Sequence, residues 1–289
     1  MLDKFHDFKV IIDTGNLTEA AKKLHVSQPA LSISVKKLEK QLGCKLLIRN
    51  KGGVKPTQFG KILYKYARRF NLSVGNMKKE LSDQLYTLEK DIKIGMIDNV
   101  GIKFIGRVYK GFRKKYPKLN LTIQVDNSTR LVREVEKGSI DFAIITKQKR
   151  LKNNFIQEDF ASEDLIIISA SDYVQEATCL KDLEKINFIA YNKDSTTFKL
   201  IDKAFTQNKI NINYSAYSTS PTFIKEMVKL GTGIAVLPKN IVDKELASKK
   251  LRKIDLGIKL SRQLSLIYLK NAYLTNLDKN FIEKLRNMF

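Results

Sequence analysis

The sequence has no tryptophan, five prolines, two cysteines and two histidines among 289 residues. With only Cys44 and Cys179, the chain lacks the means to form a disulfide scaffold or a multi-cysteine zinc site. With only His6 and His25, it has few ligands for a histidine-rich metal centre, and we expect no metal or other cofactor. No run of about 18 apolar residues is present, so no membrane-spanning helix is expected. No basic start followed by an apolar run marks a secretory signal, so the sequence favours a soluble, cytoplasmic protein.

Acidic residues are scarce relative to basic ones, since 53 Lys and Arg accompany 30 Asp and Glu, for a formal charge of +23. Such an excess indicates a nucleic-acid or other anionic partner. Most of the basic residues are lysine, which A+T-rich genomes favour, so part of the excess carries no functional information. Between Lys36 and Lys79, however, 13 basic residues accompany one acidic residue, Glu39. This local concentration predicts a surface that binds polyanions, with a solvated lysine-rich face as the alternative.

Catalytic signatures are also missing. The sequence contains no G-x-x-x-x-G-K-[ST] phosphate loop, no H-E-x-x-H zinc motif and no G-x-S-x-G nucleophile motif. Neither cysteine has a histidine near it in sequence, and Cys44 is expected to pack rather than to sense oxidants. The sequence therefore favours a protein that is not an enzyme, and an enzyme with an unusual site remains the alternative.

A pair of short helices joined by a tight turn is predicted near the N-terminus. Thr18 is expected to cap a helix over 19–24, and Ser27 to cap the next one, whose first turn tolerates Pro29. Gly43 is expected to end that second helix. The helix that precedes the pair is expected to bury Leu2, Phe5, Phe8 and Ile12. The buried stripe of the second helix of the pair is predicted to be Leu31, Val35, Leu38 and Leu42. A helix pair of this kind with a basic outer face is typical of a helix-turn-helix.

The outer face of the second helix is predicted to contact DNA. Its N-terminal part would meet base edges, where Gln28 can pair with adenine, while Lys36 and Lys40 suit phosphates. Ile33 is the exception on this polar face: it is either one exposed isoleucine without a role or a contact to a thymine methyl group. The predicted DNA-binding residues of this helix and its cap are Ser27, Gln28, Pro29, Ser32, Ile33, Lys36 and Lys40.

A β-hairpin is predicted after this helix. An apolar segment over 46–48, a Gly52-Gly53 turn and a return strand over 54–56 have the pattern of a wing. Arg49, Lys51 and Lys55 are expected to contact phosphates.

Residues 16–60 resemble the DNA-binding domain of LysR-type transcriptional regulators. The resemblance rests on Ala20-Ala21, Leu24, Ser27-Gln28-Pro29-Ala30, Leu31-Ser32, Leu38-Glu39, Leu42-Gly43, Leu46, Arg49 and Thr57 with Gly60. It implies a winged helix-turn-helix over 1–57 that binds double-stranded DNA. The family usually carries arginine at the position of Ile33, so this departure indicates an altered recognition of DNA.

A long amphipathic helix is predicted over 58–89, with Thr57 as its cap. Its apolar residues recur with a mean step of about 3.6. They are Phe59, Leu63, Tyr66, Phe70, Val74, Met77, Leu81, Leu85 and Leu88. Packing on its own domain is one interpretation, and a dimer interface is the preferred one, since a dimer presents two recognition helices to two half-sites. The resemblance implies the same linker helix, and we expect a homodimer that pairs again into a homotetramer.

Residues 90–289 alternate between strand and helix patterns, which predicts an α/β domain with a largely parallel sheet. Strands are predicted over 91–97, 119–125, 142–145, 165–168, 188–190, 234–237 and 264–269. Helices are predicted over 101–116, 131–137, 223–230 and 281–288. Residues 138–144 and 228–238 resemble the LysR-family effector domain, a type 2 periplasmic-binding-protein fold. The resemblance implies two lobes, over about 90–161 with 265–289 and about 162–264, and a small metabolite between them.

Short polar residues follow several of the predicted strands, where ligands of open α/β sheets bind. Each cluster also suits a helix N-cap, and together the clusters would ring a cleft that favours a small anion. The predicted effector-binding residues are Asp98, Asn99, Val100, Asn127, Ser128, Thr129, Thr146, Thr196, Thr197, Ser218 and Ser220. Among them, Asp98 would instead suit an amine.

These patterns predict an α/β fold class with an N-terminal domain rich in α-helix: a winged helix-turn-helix, a long dimerisation helix and a two-lobed effector domain like a type 2 periplasmic-binding protein. The predicted function is sequence-specific transcriptional regulation, in which a small metabolite changes promoter binding or contact with RNA polymerase. The alternative is a cytoplasmic small-solute-binding protein without a transcriptional role.

Overall fold

The computed structural model describes residues 2–50, 53–84, 90–97, 105–175 and 177–287. The chain divides into two compact units, Met1–Leu85 and Tyr86–Phe289. Within the described ranges, no helix has both the length and the apolar character needed to cross a bilayer.

The first unit consists mainly of helices, with one β-hairpin. Its elements are α1 Leu2–Thr14, α2 Leu17–Lys23, α3 Gln28–Leu42, β1 Leu47–Asn50, β2 Gly53–Pro56 and α4 Gln58–Gln84. Strands β1 and β2 pair in antiparallel register, with Leu47 opposite Pro56 and Asn50 opposite Gly53. The predicted helix pair, hairpin and long helix are therefore confirmed for the residues described, and we refer to β1 with β2 as the wing.

The start of α2 differs from the prediction. Asn16, not Thr18, is the N-cap: its Oδ1 accepts hydrogen bonds from the backbone N–H groups of Thr18 at 2.8 Å and Glu19 at 3.2 Å. Asparagine is at least as good an N-cap as threonine and lies two residues earlier, so α2 already begins at Leu17.

The two ends of α3 follow from its sequence as predicted. The Oγ of Ser27 accepts a hydrogen bond from the backbone N–H of Ala30 at 3.3 Å, and Pro29 occupies the first turn. Gly43 ends the helix with a φ of 68°, a left-handed conformation that glycine adopts without the steric cost of a Cβ.

The core of the first unit corrects two details of the predicted stripes. On α1, Ile11 is fully buried, whereas Ile12 is only half-buried. On α3, Leu31, Val35 and Leu38 are buried, whereas Leu42 is 42% exposed because the last turn of the helix extends beyond the core. The core consists of Phe8, Ile11, Leu17, Ala20, Ala21, Leu31, Val35, Leu38, Leu46, Leu47, Val54 and Leu63.

The first turn of α4 is held against the segment that leads into the wing. The Thr57 Oγ1 donates to the carbonyl of Lys45 at 2.7 Å and accepts from the N–H of Gly60 at 3.0 Å. The N–H of Thr57 donates to the carbonyl of Leu46 at 2.9 Å. A Cβ at Gly60 would lie 2.1 Å from that same Leu46 oxygen, so only glycine fits this contact.

The second unit alternates strands and helices. Its elements are β3 Lys90–Met96, α5 Ile105–Lys115, β4 Leu119–Val125, α6 Ser128–Lys137, β5 Phe142–Thr146, β6 Phe155–Ala170, a 3₁₀ helix Leu180–Lys185, β7 Asn187–Tyr191, α7 Thr196–Gln207, β8 Asn213–Ser218, α8 Pro221–Lys229, β9 Ala235–Pro238, α9 Lys239–Ala247, β10 Leu251–Ile254, β11 Leu260–Leu269 and α10 Asn276–Arg286. The part of the predicted helix 101–116 before Ile105 lies outside the described residues.

The large sheet of this unit is mixed, so the prediction of a largely parallel sheet was wrong. Its strand order is β10-β6-β11-β5-β3-β4, with β9 also paired to β6. Strand β3 runs parallel to β4 and β5, whereas β6 runs antiparallel to β9, β10 and β11, and β11 runs antiparallel to β5. A smaller sheet pairs β7 with β8 in parallel. Strands covered on both faces have the same continuous apolar runs in either orientation, which is why the sequence pattern misled.

Strands β6 and β11 are much longer than predicted, with 16 and 10 residues. They pair along the full length of β11, with Ala161 opposite Leu264, and the register shifts after Leu264. Both strands therefore run through the predicted lobe limits at 161–162 and 264–265. Acidic residues interrupt the apolar pattern of β6, which is why only its apolar end was recognised.

Candidate nucleic-acid interface and ligand cavity

The predicted DNA-contacting residues of α3 and its cap lie at the surface. Ser27, Pro29, Lys36 and Lys40 are exposed, and Gln28 and Ser32 are half-buried. The Ile33 side chain is 53% exposed between these polar groups. The buried side of the helix carries its apolar stripe, so the opposite side presents a mainly basic and hydroxylic surface.

The wing is connected to α3 through Arg49. Its Nη2 donates a hydrogen bond to the Oγ of Ser32 at 3.1 Å, so two of the predicted residues from different elements are in contact. Arg49 and Lys55 are both exposed, as phosphate contacts require. Lys51, the third predicted residue of the wing, lies outside the described residues.

Glu39, the one acidic residue of the basic segment, fixes the wing to α3, a role that sequence reasoning missed. Its Oε1 accepts hydrogen bonds from the backbone N–H groups of Leu46 at 2.8 Å and Leu47 at 3.3 Å, and its Oε2 lies 3.2 Å from the Lys45 Nζ. Burial acts to raise the pKa of this carboxyl, but the two backbone hydrogen bonds and the Lys45 ammonium outweigh burial and lower it.

Replacement of Glu39 by alanine is expected to lower the free energy of unfolding of the first unit by about 1–3 kcal/mol, because two backbone N–H groups lose their acceptor. Glu39→Gln, which keeps one oxygen, is expected to lose less. Since the folded pKa lies below the ordinary value of 4.5, the carboxylate stabilises the fold fully above that value and progressively less as the pH falls through the folded pKa. Thermal unfolding followed by circular dichroism at several pH values measures this, with the exposed Glu80→Ala as the control. Equal losses for Glu39→Ala and Glu80→Ala would contradict the assigned role.

A cavity of about 440 Å³ lies in the second unit. Its lining includes predicted effector-binding residues from four segments: Asn127, Ser128, Thr146, Thr196, Thr197, Ser218 and Ser220. Thr129 is exposed and is not among the lining residues, while Asp98, Asn99 and Val100 lie outside the described residues. Ser195 and Thr219, members of the polar clusters predicted from the sequence, also line the cavity. The remaining lining residues, which sequence reasoning did not select, are Ile97, Val125, Asp126, Arg130, Tyr191, Asn192, Asp194, Pro221 and Arg262.

Hydrogen bonds connect predicted residues across the walls of the cavity. The Ser128 Oγ accepts from the backbone N–H of Thr146 at 3.2 Å, which ties the start of α6 to the end of β5. The Ser218 Oγ accepts from the N–H of Ser220 at 3.1 Å, which shapes the segment between β8 and α8. The lining residues as a set come from several strand ends and helix starts along the second unit, as the rule for strand ends predicts.

Helices α6, α7 and α8 all begin at the cavity. Their N-caps are Asn127, Ser195 and Ser220, whose side-chain oxygens each accept a hydrogen bond from a backbone N–H of the first turn, at 3.0, 3.2 and 3.3 Å. These residues are therefore both N-caps and lining residues, so the two interpretations of the polar clusters are compatible. The start of a helix favours negative charge because its first N–H groups point outward.

Arg262, which lines the cavity, belongs to a buried ion pair that no local pattern of residues predicts. Arg262 is only 2% exposed; its Nε donates to the Glu163 Oε2 at 2.8 Å and its Nη1 to the Thr197 Oγ1 at 2.9 Å. The other carboxylate oxygen of Glu163 accepts from the Asn240 Nδ2 at 2.9 Å. Glu163 and Arg262 face each other on β6 and β11, so the pair depends on the register of two distant strands.

The charged groups of the lining are of both signs. The Arg130 Nη1 lies 3.5 Å from the Oδ2 of Asp126, four residues earlier in the chain. The charge of Arg262 is neutralised by Glu163. Asp194 adds a further carboxylate. With its hydroxyl groups and helix starts, the cavity is suited to a small polar molecule rather than to an apolar one.

Comparison with known proteins places both units in one family. Residues 2–61 match the family model described as "Bacterial regulatory helix-turn-helix protein, lysR family", and residues 87–289 match "LysR substrate binding domain". The chain is 31% identical over 277 residues to a "Probable RuBisCO transcriptional regulator" of Thalassiosira pseudonana, which covers 92% of this chain and 90% of that protein.

Solved structures show the same fold. The structure of Vibrio fischeri DarR in complex with DNA covers 100% of this chain and 99% of its own, with 20% identity and a TM-score of 0.59. The effector-binding domain of QuiR in complex with shikimate covers 70% of this chain and 97% of its own, with 18% identity and a TM-score of 0.61. The two family models and the relative from Thalassiosira pseudonana favour the regulator over the solute-binding alternative. The chain therefore belongs to the LysR family of transcriptional regulators, with an N-terminal helix-turn-helix domain and a C-terminal effector-binding domain.

Proposed function

We propose that this regulator binds DNA through α3 and the wing as a homodimer, assembled further into a homotetramer, and that a small polar metabolite in the cavity changes its promoter binding or its contact with RNA polymerase. The observation that carries the proposal is the presence, on one chain, of a winged helix-turn-helix with a basic outer surface and of a separate polar cavity of about 440 Å³. The DNA in the DarR structure and the shikimate in the QuiR domain support these two kinds of partner.

The surface of α4 supports a dimer. One side of the helix packs on its own unit and buries Gly60, Leu63 and Ala67, so that predicted alternative holds for this side. Another side leaves large apolar groups more than half exposed, at helical spacing: Phe59, Ile62, Tyr66, Met77 and Leu81. An exposed apolar stripe of this length on a helix favours a second helix as its partner. Leu85 and Leu88, the last predicted members of the stripe, lie outside the described residues.

Replacement of Met77 and Leu81 by glutamate together is expected to separate the two chains that meet through α4, since two charges per chain would face each other across the interface. Light scattering after size-exclusion chromatography would show the mass halved. Lys79→Glu is the matched control: Lys79 is two residues from both positions, which places it across the helix, and the dimer is expected to persist. A double variant that keeps the mass of the wild type would exclude α4 as the interface.

Ligand binding in the cavity is tested with two threonine variants of equal shape change. Thr196→Val removes a hydroxyl that lines the cavity. For any metabolite that raises the melting temperature of the wild type, this variant is expected to have an affinity about tenfold lower, the effect of one hydrogen bond to a charged or polar ligand. Thr129→Val changes an exposed residue outside the lining and is expected to leave that affinity unchanged. A thermal-shift screen with cellular metabolites followed by calorimetry gives both values, and equal affinities in the two variants would reject the cavity.

The regulatory step is tested on DNA. The full chain is expected to bind the region upstream of its own gene, and each metabolite found in the screen is expected to change the affinity or the bend of that complex. A metabolite acts only through a difference in its affinity for two states of the protein, so DNA must change metabolite affinity by the same factor. Failure of the full chain to bind any duplex would overturn the proposal.

A further inference from the structure

An apolar strip crosses the otherwise basic and polar surface at the start of α3. Val26 is 47% exposed and Ile33 is 53% exposed, and the exposed Pro29 lies between them at steps of three and four residues. One exposed isoleucine needs no explanation, but here Pro29 and Ile33 are neighbours on the outer side of α3, four residues apart, and Val26 is exposed in the turn just before the helix. The lysines of α3 that follow Ile33, and those at the end of α2 that precede Val26, are themselves exposed: Lys22, Lys23, Lys36, Lys37 and Lys40.

Ser32, the residue before Ile33, already has a hydrogen-bond partner from the wing. The Ser32 hydroxyl accepts the hydrogen bond of the Arg49 Nη2, which brings a guanidinium from the wing beside this turn of α3. A positive charge is thus supplied next to Ile33 without a basic side chain at position 33 itself. What Ile33 offers to a partner is the contact surface of its methyl and methylene groups.

The partner that fits a basic surface with an apolar strip is the DNA major groove. Its phosphates match the lysines, and its one apolar group on a base edge is the C5-methyl of thymine. We infer that Ile33 contacts the methyl group of a thymine in each half-site and makes this regulator select thymine at that position. The inference rests on the proposed DNA-binding function and names the base feature that α3 reads.

The test uses the full chain and a duplex selected by it from a random pool. Each thymine of the selected site is replaced in turn by deoxyuridine, which removes only the methyl group. At one thymine of each half-site, wild-type affinity is expected to fall about fourfold, the effect of leaving one buried methyl contact unmade. Ile33→Ala is expected to bind the thymine and deoxyuridine duplexes equally at that position. Ile33→Arg is expected to select guanine there, because arginine pairs with guanine in two hydrogen bonds.

Lys36→Ala is the matched control on the same helix. Because a lysine that contacts phosphate carries no sequence information, this variant is expected to weaken both duplexes alike and to keep the fourfold ratio. If no deoxyuridine replacement lowers the affinity of the wild type, the inference about Ile33 is wrong while DNA binding stands. The same holds if Ile33→Ala loses as much affinity as the wild type at the same thymine. If the full chain selects no duplex from the pool, the proposed function itself fails.

Discussion

Replacing Arg262 with methionine is expected to lower the free energy of unfolding of the second unit by about 3–5 kcal/mol, the largest effect of any single substitution proposed for this unit. The guanidinium is almost fully buried and lies 2.7 Å from the Glu163 carboxylate through its Nη2. Without Arg262, a buried carboxylate loses its countercharge, and the Thr197 hydroxyl loses its donor. Urea unfolding followed by circular dichroism, with amide hydrogen exchange of β6 and β11, measures the loss where it arises.

Two further variants separate the cost of an unpaired charge from the value of the pair. The double variant Glu163→Met with Arg262→Met is expected to recover most of the loss, because no charge remains buried. Lys147→Met breaks an ion pair with Asp159, also on β6, in which both side chains are substantially exposed, and is expected to cost about 0–1 kcal/mol. If Arg262→Met lowers the free energy of unfolding no more than Lys147→Met does, the buried ion pair does not stabilise the pairing of β6 with β11.

Removal of three charges from the candidate DNA surface is expected to reduce DNA affinity by at least about a hundredfold at physiological salt, because each phosphate contact releases counterions. The variant combines Lys36→Ala, Arg49→Ala and Lys55→Ala, all exposed on α3 and the wing. In a dimer this removes six contacts, so the slope of the logarithm of the binding constant against the logarithm of salt concentration is expected to fall by about 5. Fluorescence anisotropy at several salt concentrations measures both quantities.

The control for this variant has the same change in net charge. Lys118, Lys203 and Lys259 are exposed residues of the second unit, and their combined replacement by alanine is expected to leave the salt slope unchanged. If the two triple variants lose affinity equally, binding reflects the total charge of +23 and not the surface of α3 and the wing. A normal slope in the α3 and wing variant would exclude these residues as phosphate contacts.

The helix-turn-helix was predictable because its signals are local. The cap at Ser27, the proline in the first turn of α3 and the left-handed Gly43 are separated by fewer than two dozen residues, and each acts through its own backbone neighbours. The same local reasoning placed the start of α2 too late, because it preferred Thr18 to Asn16. Such errors arise where two good caps compete within one turn.

The cavity was predictable in part. Asn127 and Thr197 follow strands recognised from their apolar runs. Ser218 ends β8, a strand that was not predicted, and it was selected because it precedes the helix predicted over 223–230. Thr129 follows Ser128 by one residue, which turns it about 100° around α6 and away from the cavity. Arg262 and Glu163 are separated by 99 residues, and their contact depends on the register of β6 with β11, for which the sequence contains no local signal.

The contact of Gly60 with the Leu46 carbonyl makes the start of α4 a rigid joint. Thr57 makes hydrogen bonds to Lys45 and Leu46, and Arg49 makes one to Ser32, so the first turn of α4, the wing and α3 are joined as one rigid unit. A rotation of α4 about its axis would therefore move α3 with it, because the segments between the two helices are held by hydrogen bonds. In the proposed α4 dimer, an effector would then act by changing the spacing of the two α3 helices, and so the half-site spacing that the dimer fits, while the bases read within each half-site stay the same.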